Sequence, residues 1–218
     1  MQKQPVQFVI PLLIKTVFLL LFLNTSNLCA QDDLVTQTKL QFTEVNNAAI
    51  TDGKDLRIYN LLENFYNEVL QDEKGELSEK TVATIYELLD NDAVPNWNIL
   101  FMFMTYQQHI SETAAVGKQA NIEFQLLATD LLVKECLKIY KKLPAVVAIY
   151  QGEAFMSAEK TDQAISIYKK LLIEKPNCVP AKIYIYMLSN DAAEKDKIFA
   201  DLSKNNPNHW MVMEFLKS

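Results

Sequence analysis

The chain is poor in the residues on which several protein classes depend. Among its 218 residues are only 4 Gly, 7 Pro, 3 Cys and 2 His. All-β folds need many turns, and turns rely on Gly and Pro, so the scarcity of both argues against a β-sandwich or a β-barrel. It also argues against a glycine-rich phosphate-binding loop. Two histidines leave too few ligands for a histidine-based metal site or a catalytic triad.

The rest of the composition is that of an ordinary folded protein. Half of the residues are apolar and 22% are charged, which distinguishes the chain from disordered sequences. The length is sufficient for one sizeable domain or two very small ones. Composition alone does not identify the architecture, and the spacing of the apolar residues is the remaining source of information on it.

The first thirty residues have the order of regions that is found in a secretory signal peptide. Lys3 and Lys15 precede an uncharged apolar core over 16–23, and a short polar stretch then leads to Ala30. Cleavage after Ala30 gives a mature chain that begins at Gln31. This places the protein in the periplasm or outside the cell of a bacterium with a second membrane.

Two alternatives remain open for this N-terminus. An uncleaved membrane anchor needs about 20 apolar residues, and the run over 6–23 approaches that length but contains Pro11 and Lys15. A lipoprotein would be acylated at Cys29, yet Leu28 stands where such processing needs a small residue. The cleaved signal peptide is therefore the main prediction.

Cleavage makes the chain more acidic. It removes two of the 21 basic residues and none of the 27 acidic ones, which changes the formal net charge from −6 to about −8. Nucleic acids and anionic membrane surfaces attract clustered Lys and Arg, so neither is expected as a partner. No membrane span is expected after cleavage either.

Two cysteines belong to the mature chain, Cys136 and Cys178. In an oxidising compartment they could form a disulfide. The alternative is two buried thiols that act as small apolar side chains. The chain has no Cys-x-x-Cys motif, so thiol–disulfide catalysis has no support.

The mature chain reads as helices with short connections. Residues 31–54 are polar and are interpreted as a flexible leader or a weak first helix. From Asp55 onward, apolar residues recur at spacings of three and four, which predicts amphipathic helices. The first ends before Gly75, and the others cover about 79–90, 96–110, 119–142, 145–158, 161–174, 179–189, 192–204 and 208–217. No convincing period-two strand is present, so the predicted fold is all-α over 55–218.

A short pattern, Ile-aromatic-x-x-Leu, recurs along this helical region. It begins at Ile58, Ile85, Ile139, Ile167 and Ile198, at intervals of 27, 54, 28 and 31 residues. Pro follows the last three copies at similar distances, and Lys175-Pro176-Asn177 and Asn206-Pro207-Asn208 are near copies of each other. The pattern indicates repeated helix hairpins.

One stretch, 145–178, resembles a tetratricopeptide repeat. It has the length of one such unit, about 34 residues, and its marked positions are Gly152, Phe155, Ala164, Tyr168 and Pro176. The resemblance implies stacked antiparallel helix hairpins, in a right-handed superhelix or a bundle, with 208–217 as a terminal capping helix. It also implies a protein partner that is bound through a concave helical groove.

Four residues around this unit are predicted partner contacts: Tyr150, Lys169, Tyr184 and Tyr186. Tyrosine is favoured at protein interfaces, which is the reason for choosing them. The function predicted first is therefore protein–protein interaction. The alternative is a helical carrier for a small apolar or aromatic ligand, in a cavity beneath 97–106.

Few residues point to catalysis or to a metal. His109 and Glu112 lie three apart on one helix face, but the only other histidine is His209, a hundred residues later. His109 is expected at the surface or at a helix end, and His209 belongs to a C-terminal helix that is expected to dock its Trp210 into the core. The sequence therefore predicts no catalytic residue, no metal and no cofactor, and the protein is not expected to be an enzyme.

Overall fold

The computed structural model describes residues 31–216, which form ten α-helices and one π-helix and contain no β-strand. The helices are α1 (Gln31–Ala48), α2 (Arg57–Phe65), the π-helix (Tyr66–Gln71), α3 (Glu79–Leu89), α4 (Trp97–Ala115), α5 (Ile122–Tyr140), α6 (Ala145–Ser157), α7 (Thr161–Glu174), α8 (Val179–Leu188), α9 (Ala192–Asn205) and α10 (Trp210–Leu216). They pack antiparallel, which confirms the predicted all-α class. None of these helices has the length and apolar character needed to cross a bilayer. The predicted signal peptide over 1–30 lies outside the described residues.

Capping side chains explain where several helices begin. The Ser78 hydroxyl accepts a hydrogen bond from the N–H of Thr81 at 3.2 Å and so caps α3. The side chain of Asn121 accepts from the N–H of Phe124 at 2.9 Å at the start of α5. Asp191 accepts from two backbone N–H groups of α9. All three residue types are favoured at helix N-termini because their side chains satisfy N–H groups that lack a partner within the helix.

The described residues divide into two compact units that alternate along the chain. Unit 1 contains residues 31–58 and Tyr86–Lys141, and unit 2 contains Tyr59–Ile85 and residues 142–216. The chain therefore passes from one unit to the other three times. Residues 59–85 thus group with the C-terminal helices and are separated in sequence from them by unit 1.

Unit 1 is built on α1, α4 and α5, which contact one another. The sequence of α4 is apolar nearly all round and predicts a central helix, and this is confirmed within the unit. Its buried residues are Asn98, Ile99, Leu100, Met102, Phe103, Met104, Tyr106 and Gln107. Phe101 of α4 stacks on Trp97 at 5.1 Å and meets the ring of Phe42 edge-on at 6.2 Å.

Residues 31–48 form α1, which is the helical one of the two interpretations given for 31–54. Phe42 is fully buried, and Thr38, four residues earlier on the same helix face, is only 4% exposed. This face packs on α4 and α5. Because most of the other side chains of α1 are polar, the sequence shows only a weak amphipathic pattern there, and the helix is stabilised by its packing.

Asn96 fixes the loop between α1 and α2. Its φ angle is 67°, a left-handed conformation that asparagine adopts more readily than most residues. Its side chain accepts a hydrogen bond from the N–H of Asp52 (2.9 Å) and donates to the carbonyl oxygens of Asp52 (2.8 Å) and Asp55 (3.0 Å). Asn96 is fully buried, so this one side chain satisfies three backbone groups away from water.

In unit 2, α6 packs against α7, α7 against α8, and α8 against α9. Gly152 allows the close approach of α6 and α7, since a Cβ atom at this position would overlap the ring of Tyr168. Tyr168 and Ala164 are fully buried. Three of the predicted repeat positions are thus brought together, while Phe155 is half-buried on α6 and Pro176 lies in the turn before α8.

The two near-copy tripeptides form equivalent turns. Lys175-Pro176-Asn177 joins α7 to α8, and Asn206-Pro207-Asn208 joins α9 to α10. In each turn the carbonyl of the first residue accepts a hydrogen bond from the N–H three residues later, that of Cys178 (3.0 Å) or of His209 (3.2 Å). Cys178 and His209 are both fully buried. The sequence repeat is therefore also a repeat of backbone geometry.

Candidate functional site

One surface of unit 2 holds a helical segment of the same chain. We call this the docked segment; it is residues 59–75, and its π-helix packs on α6 and α8. We call the surface that receives it the α6–α8 face. The face comprises the first residues of α6 and α8, Lys175, Asn177, His209 and Trp210.

Glu63 of the docked segment caps α6. The N–H of Ala145 donates to its Oε1 at 2.8 Å, and the Nζ atom of Lys175 donates to its Oε2 at 2.7 Å. The residue before α6 is Pro144, which supplies no side-chain cap. A carboxylate is well suited to this position because the N-terminal end of a helix carries a partial positive charge.

Gln71 does the same for α8, eight residues further along the segment. The N–H of Val179 donates to its Oε1 at 3.0 Å, and its Nε2 donates to the carbonyl oxygen of Asn177 at 3.0 Å. The hydroxyl of Tyr66 also donates to Oε1, at 2.8 Å. The residue before α8 is Cys178, which makes no side-chain cap. Each of the two helices thus depends on a residue more than 80 positions away for its N-terminal cap.

Trp210 attaches the end of the docked segment to the turn before α10. Its indole Nε1 donates to the carbonyl oxygen of Val69, and its backbone N–H donates to that of Glu73, both at 3.2 Å. The indole also packs against Gly75, where a Cβ atom would overlap it. Gly75 has a φ angle of 68°, a conformation that glycine adopts without strain.

His209 is held as a neutral imidazole on the same face. Its Nδ1 accepts a hydrogen bond from the N–H of Met211 at 3.2 Å, so its Nε2 carries the proton and donates to the carbonyl oxygen of Leu70 at 3.1 Å. Burial lowers the pKa of this imidazole. His209 is fully buried.

The apolar side chains of the docked segment are buried. Those exposed by 5% or less are Leu61, Leu62, Phe65, Tyr66, Val69 and Leu70. Burial, together with the neighbouring Cys178 thiol, raises the pKa of the Tyr66 hydroxyl. The docked segment therefore contacts the α6–α8 face in two ways: through its apolar stripe, and through acceptor groups at defined positions.

A second feature of unit 2 is a tyrosine–glutamate cluster, formed by Tyr150, Glu153, Tyr168 and Tyr184. The hydroxyl of Tyr184 donates to Glu153 Oε1 at 2.5 Å, and the Tyr168 and Tyr184 rings stack at 4.9 Å. Burial raises the pKa of Glu153 to about 7, and that of Tyr184 well above its ordinary value. Carboxyl groups that exchange a proton near neutral pH are often found at functional sites, although structural clusters have them too.

Two of the predicted partner contacts are corrected by the structure. Tyr150 is 4% exposed and Tyr184 is 1% exposed. Both belong to the tyrosine–glutamate cluster, where helix packing covers their rings, and so neither presents a surface to a partner. The sequence could not separate these tyrosines from exposed ones because all of them lie in apolar helices.

The other two predicted contacts keep exposed surface. Lys169 forms an ion pair with Glu194 at 2.7 Å while its side chain remains 52% exposed. Tyr186 is half-buried, with its ring 6.3 Å from that of Phe199 and the Nζ of Lys195 at 5.0 Å. Phe199 is 42% exposed, so aromatic surface is accessible beside Tyr186.

Cys136 and Cys178 are both free, buried thiols. This is the second of the two alternatives that the sequence left open. Burial raises the pKa of each thiol, which keeps both protonated and unreactive.

His109 has a structural role at the start of α5. Its Nε2 accepts a hydrogen bond from the N–H of Asn121 at 3.2 Å, and its ring lies 4.2 Å from that of Phe124. Burial lowers its pKa. Glu112 accepts from the side chain of Gln108 instead. Over the described part of the chain, no three or more His, Cys, Asp or Glu side chains gather as metal ligands would.

The sequence-based reasoning did not find Glu63 and Gln71. A signal for them exists, since Pro144 and Cys178 precede predicted helices and cannot supply ordinary N-terminal caps.

Comparison of the chain with protein-family models, with curated proteins and with solved structures finds no match.

Proposed function

We propose that the protein is an exported, non-catalytic binding protein of the bacterial envelope, and that unit 2 contacts its protein partner. The observation that carries this proposal is the α6–α8 face. It holds a helix whose apolar side chains are buried and whose Glu63 and Gln71 accept hydrogen bonds from the N–H groups of Ala145 and Val179. Binding of an amphipathic helix in a helical groove is a common mode of protein recognition.

A tetratricopeptide-like organisation of unit 2 is part of this proposal. The hairpins α6–α7 and α8–α9 follow each other with short turns, and the turns before α8 and α10 have the same backbone hydrogen bond. Gly152 and Tyr168 pack as small and aromatic repeat positions would. Stacked hairpins of this kind present extended surfaces to partners.

The proposed partner contacts are Lys169 and Tyr186, with Phe199 beside the latter. The exposed aromatic surface beside Tyr186 supports this choice, because protein interfaces are enriched in tyrosine and phenylalanine. The location in the envelope follows from the signal-peptide pattern before Gln31. The acidic mature chain suits a protein partner better than nucleic acid.

Site-specific photo-crosslinking tests this function. A photoreactive phenylalanine analogue replaces Tyr186 in one sample and Val116, which is 67% exposed in unit 1, in the control. Each protein is irradiated in an envelope extract, and adducts are identified by mass spectrometry. The expected result is a discrete adduct at 186 that is absent at 116 and is weakened by Lys169→Glu. Adducts equal at both positions, or none at 186, would refute the proposal.

A further inference from the structure

We infer that the docked segment is an internal ligand, which a helix of the partner protein displaces from the α6–α8 face. The partner helix is amphipathic and presents a carboxylate and, about two turns later, an amide or carboxylate acceptor, with apolar side chains between them. This inference rests on the proposed function and adds the chemistry and the regulation of the binding surface.

The hydrogen-bond donors and acceptors are divided between the α6–α8 face and the docked segment. The face supplies the donors, namely the N–H groups of Ala145 and Val179 and the ammonium group of Lys175. The docked segment supplies the acceptors. Neither α6 nor α8 has a side-chain cap from its own flanking sequence. Any helix that presents acceptors at the spacing of Glu63 and Gln71 can therefore satisfy the same donors.

Several contacts join the helices α6 to α9 to one another without a residue of the docked segment. Gly152 meets Tyr168, Tyr184 bonds to Glu153, and Lys182 pairs with Asp201 at 2.6 Å. All of these contacts lie within residues 142–216. The docked segment belongs to the same compact unit but to a stretch remote in sequence, Tyr59–Ile85, and none of these hairpin contacts includes one of its residues.

The docked segment has an unusual backbone conformation. It changes from α-helical to π-helical at Tyr66 and remains so to Gln71, and the N–H of Asp72 bonds to the carbonyl of Asn67 at 2.8 Å, as a π-helix requires. π-Helical turns are rare and occur frequently at functional sites. The turn lies where the segment contacts the face.

Displacement replaces the contacts of the docked segment with similar contacts to a free helix. The displaced fraction therefore depends on the concentration of the free helix. A free helix that buries the same apolar stripe competes with a tethered one whose effective concentration is in the millimolar range. A peptide copy of the segment is therefore expected to compete at about 1 mM. Weakening the anchors of the tethered copy lowers the concentration that is needed.

Hydrogen exchange of the mature chain (31–218) provides the first test. An isotopically labelled peptide with the sequence of residues 57–76 is added at about 1 mM, and deuterium uptake is followed by mass spectrometry. We expect faster uptake in residues 59–75 of the protein, with little change in α7 and α9. A control peptide carrying Glu63→Ala and Gln71→Ala should have no effect. Unchanged uptake in 59–75, or equal effects of both peptides, would overturn the inference.

A variant of the protein provides the second test. The change Glu63→Ala/Gln71→Ala is introduced into the chain, and binding of the fluorescently labelled unaltered peptide is measured by anisotropy. We expect at least tenfold tighter binding than by the unaltered chain. Glu68→Ala is the matched control, because Glu68 bonds to Ser78 and Thr81 within Tyr59–Ile85 and not to the face; it should not tighten binding. No gain in the folded double variant would contradict the inference, and if that variant does not fold, the exchange result decides.

The two proposals fail separately. A partner adduct at position 186 that is equally strong in the unaltered and the double-variant protein would support the proposed function and refute displacement. Peptide displacement without any partner adduct would refute the proposed contact surface and leave the internal ligand established.

Discussion

Replacement of Glu153 by Gln should change how the stability of the protein depends on pH. Glu153 accepts a hydrogen bond from Tyr184 and lies in the tyrosine–glutamate cluster. Burial raises its pKa from the ordinary value of 4.5 to about 7. The folded state therefore retains a proton that the unfolded state releases between these two values. A glutamine is neutral at all pH values and can still accept the bond from Tyr184.

Proton linkage gives both the direction and the size of the change in the free energy of unfolding with pH. Where the folded state binds more protons than the unfolded state, stability falls as the pH rises. The Glu153 carboxyl thus lowers the free energy of unfolding progressively between pH 4.5 and pH 7, and the full loss persists above pH 7. A rise from 4.5 to about 7 corresponds to about 3 kcal/mol, because one pKa unit is 1.36 kcal/mol.

Urea unfolding of residues 31–218, with and without Glu153→Gln, at a series of pH values measures this effect. The stability of the variant relative to the unaltered protein should increase by about 3 kcal/mol from below pH 4.5 to pH 8. Other carboxyl groups change both proteins alike and cancel in the difference. Glu174→Gln, which neutralises an exposed residue at the end of α7, is the control and should give a flat difference. A flat difference for Glu153→Gln as well would show that the carboxyl is solvated and that this reasoning is wrong.

Three further predictions concern packing, a loop and the thiols. Gly152→Ala should destabilise the protein by about 1–3 kcal/mol in urea unfolding, since the added methyl overlaps the buried ring of Tyr168; an unchanged midpoint would mean that α6 and α7 can separate freely. Asn96→Ala should cost about 2 kcal/mol or more because three backbone groups lose their partner, and Asn96→Gly, which permits the left-handed backbone, should recover only part of this loss. Cys136 and Cys178 should react with a thiol reagent only after denaturation and without prior reductant, whereas a requirement for reductant would demonstrate a disulfide.

The helices of unit 2 could be predicted closely from the sequence. The predicted span of α7, 161–174, is the observed one, and that of α9 differs by a single residue. The reason is local: apolar residues recur at helical spacing, and Asp191, Pro176 and Pro207 mark the ends. Gly152 and Tyr168 were marked only as repeat positions, through the resemblance to a tetratricopeptide repeat, and the structure shows that they meet.

The nonlocal arrangement could not be predicted in this way. Glu63 and Gln71 act on helices more than 80 residues away, and no periodicity within one helix encodes a contact of that kind. Tyr150 and Tyr184 were expected at the surface for a related reason. Helical spacing shows that a residue lies on an apolar face, but not which neighbouring helix covers it.

The alternation of the two units along the chain has a consequence for folding kinetics. The hydrogen bonds that seat the docked segment join residues 82 to 141 positions apart, so forming them requires closure of very long loops. Proteins with contacts of such long range fold slowly. Residues 59–75 are synthesised first but find their place only after Trp210 has emerged, and their apolar stripe stays exposed until then. Until the last helix is present, the exposed stripe is open to association with other apolar surfaces, which makes the partly folded chain prone to aggregation.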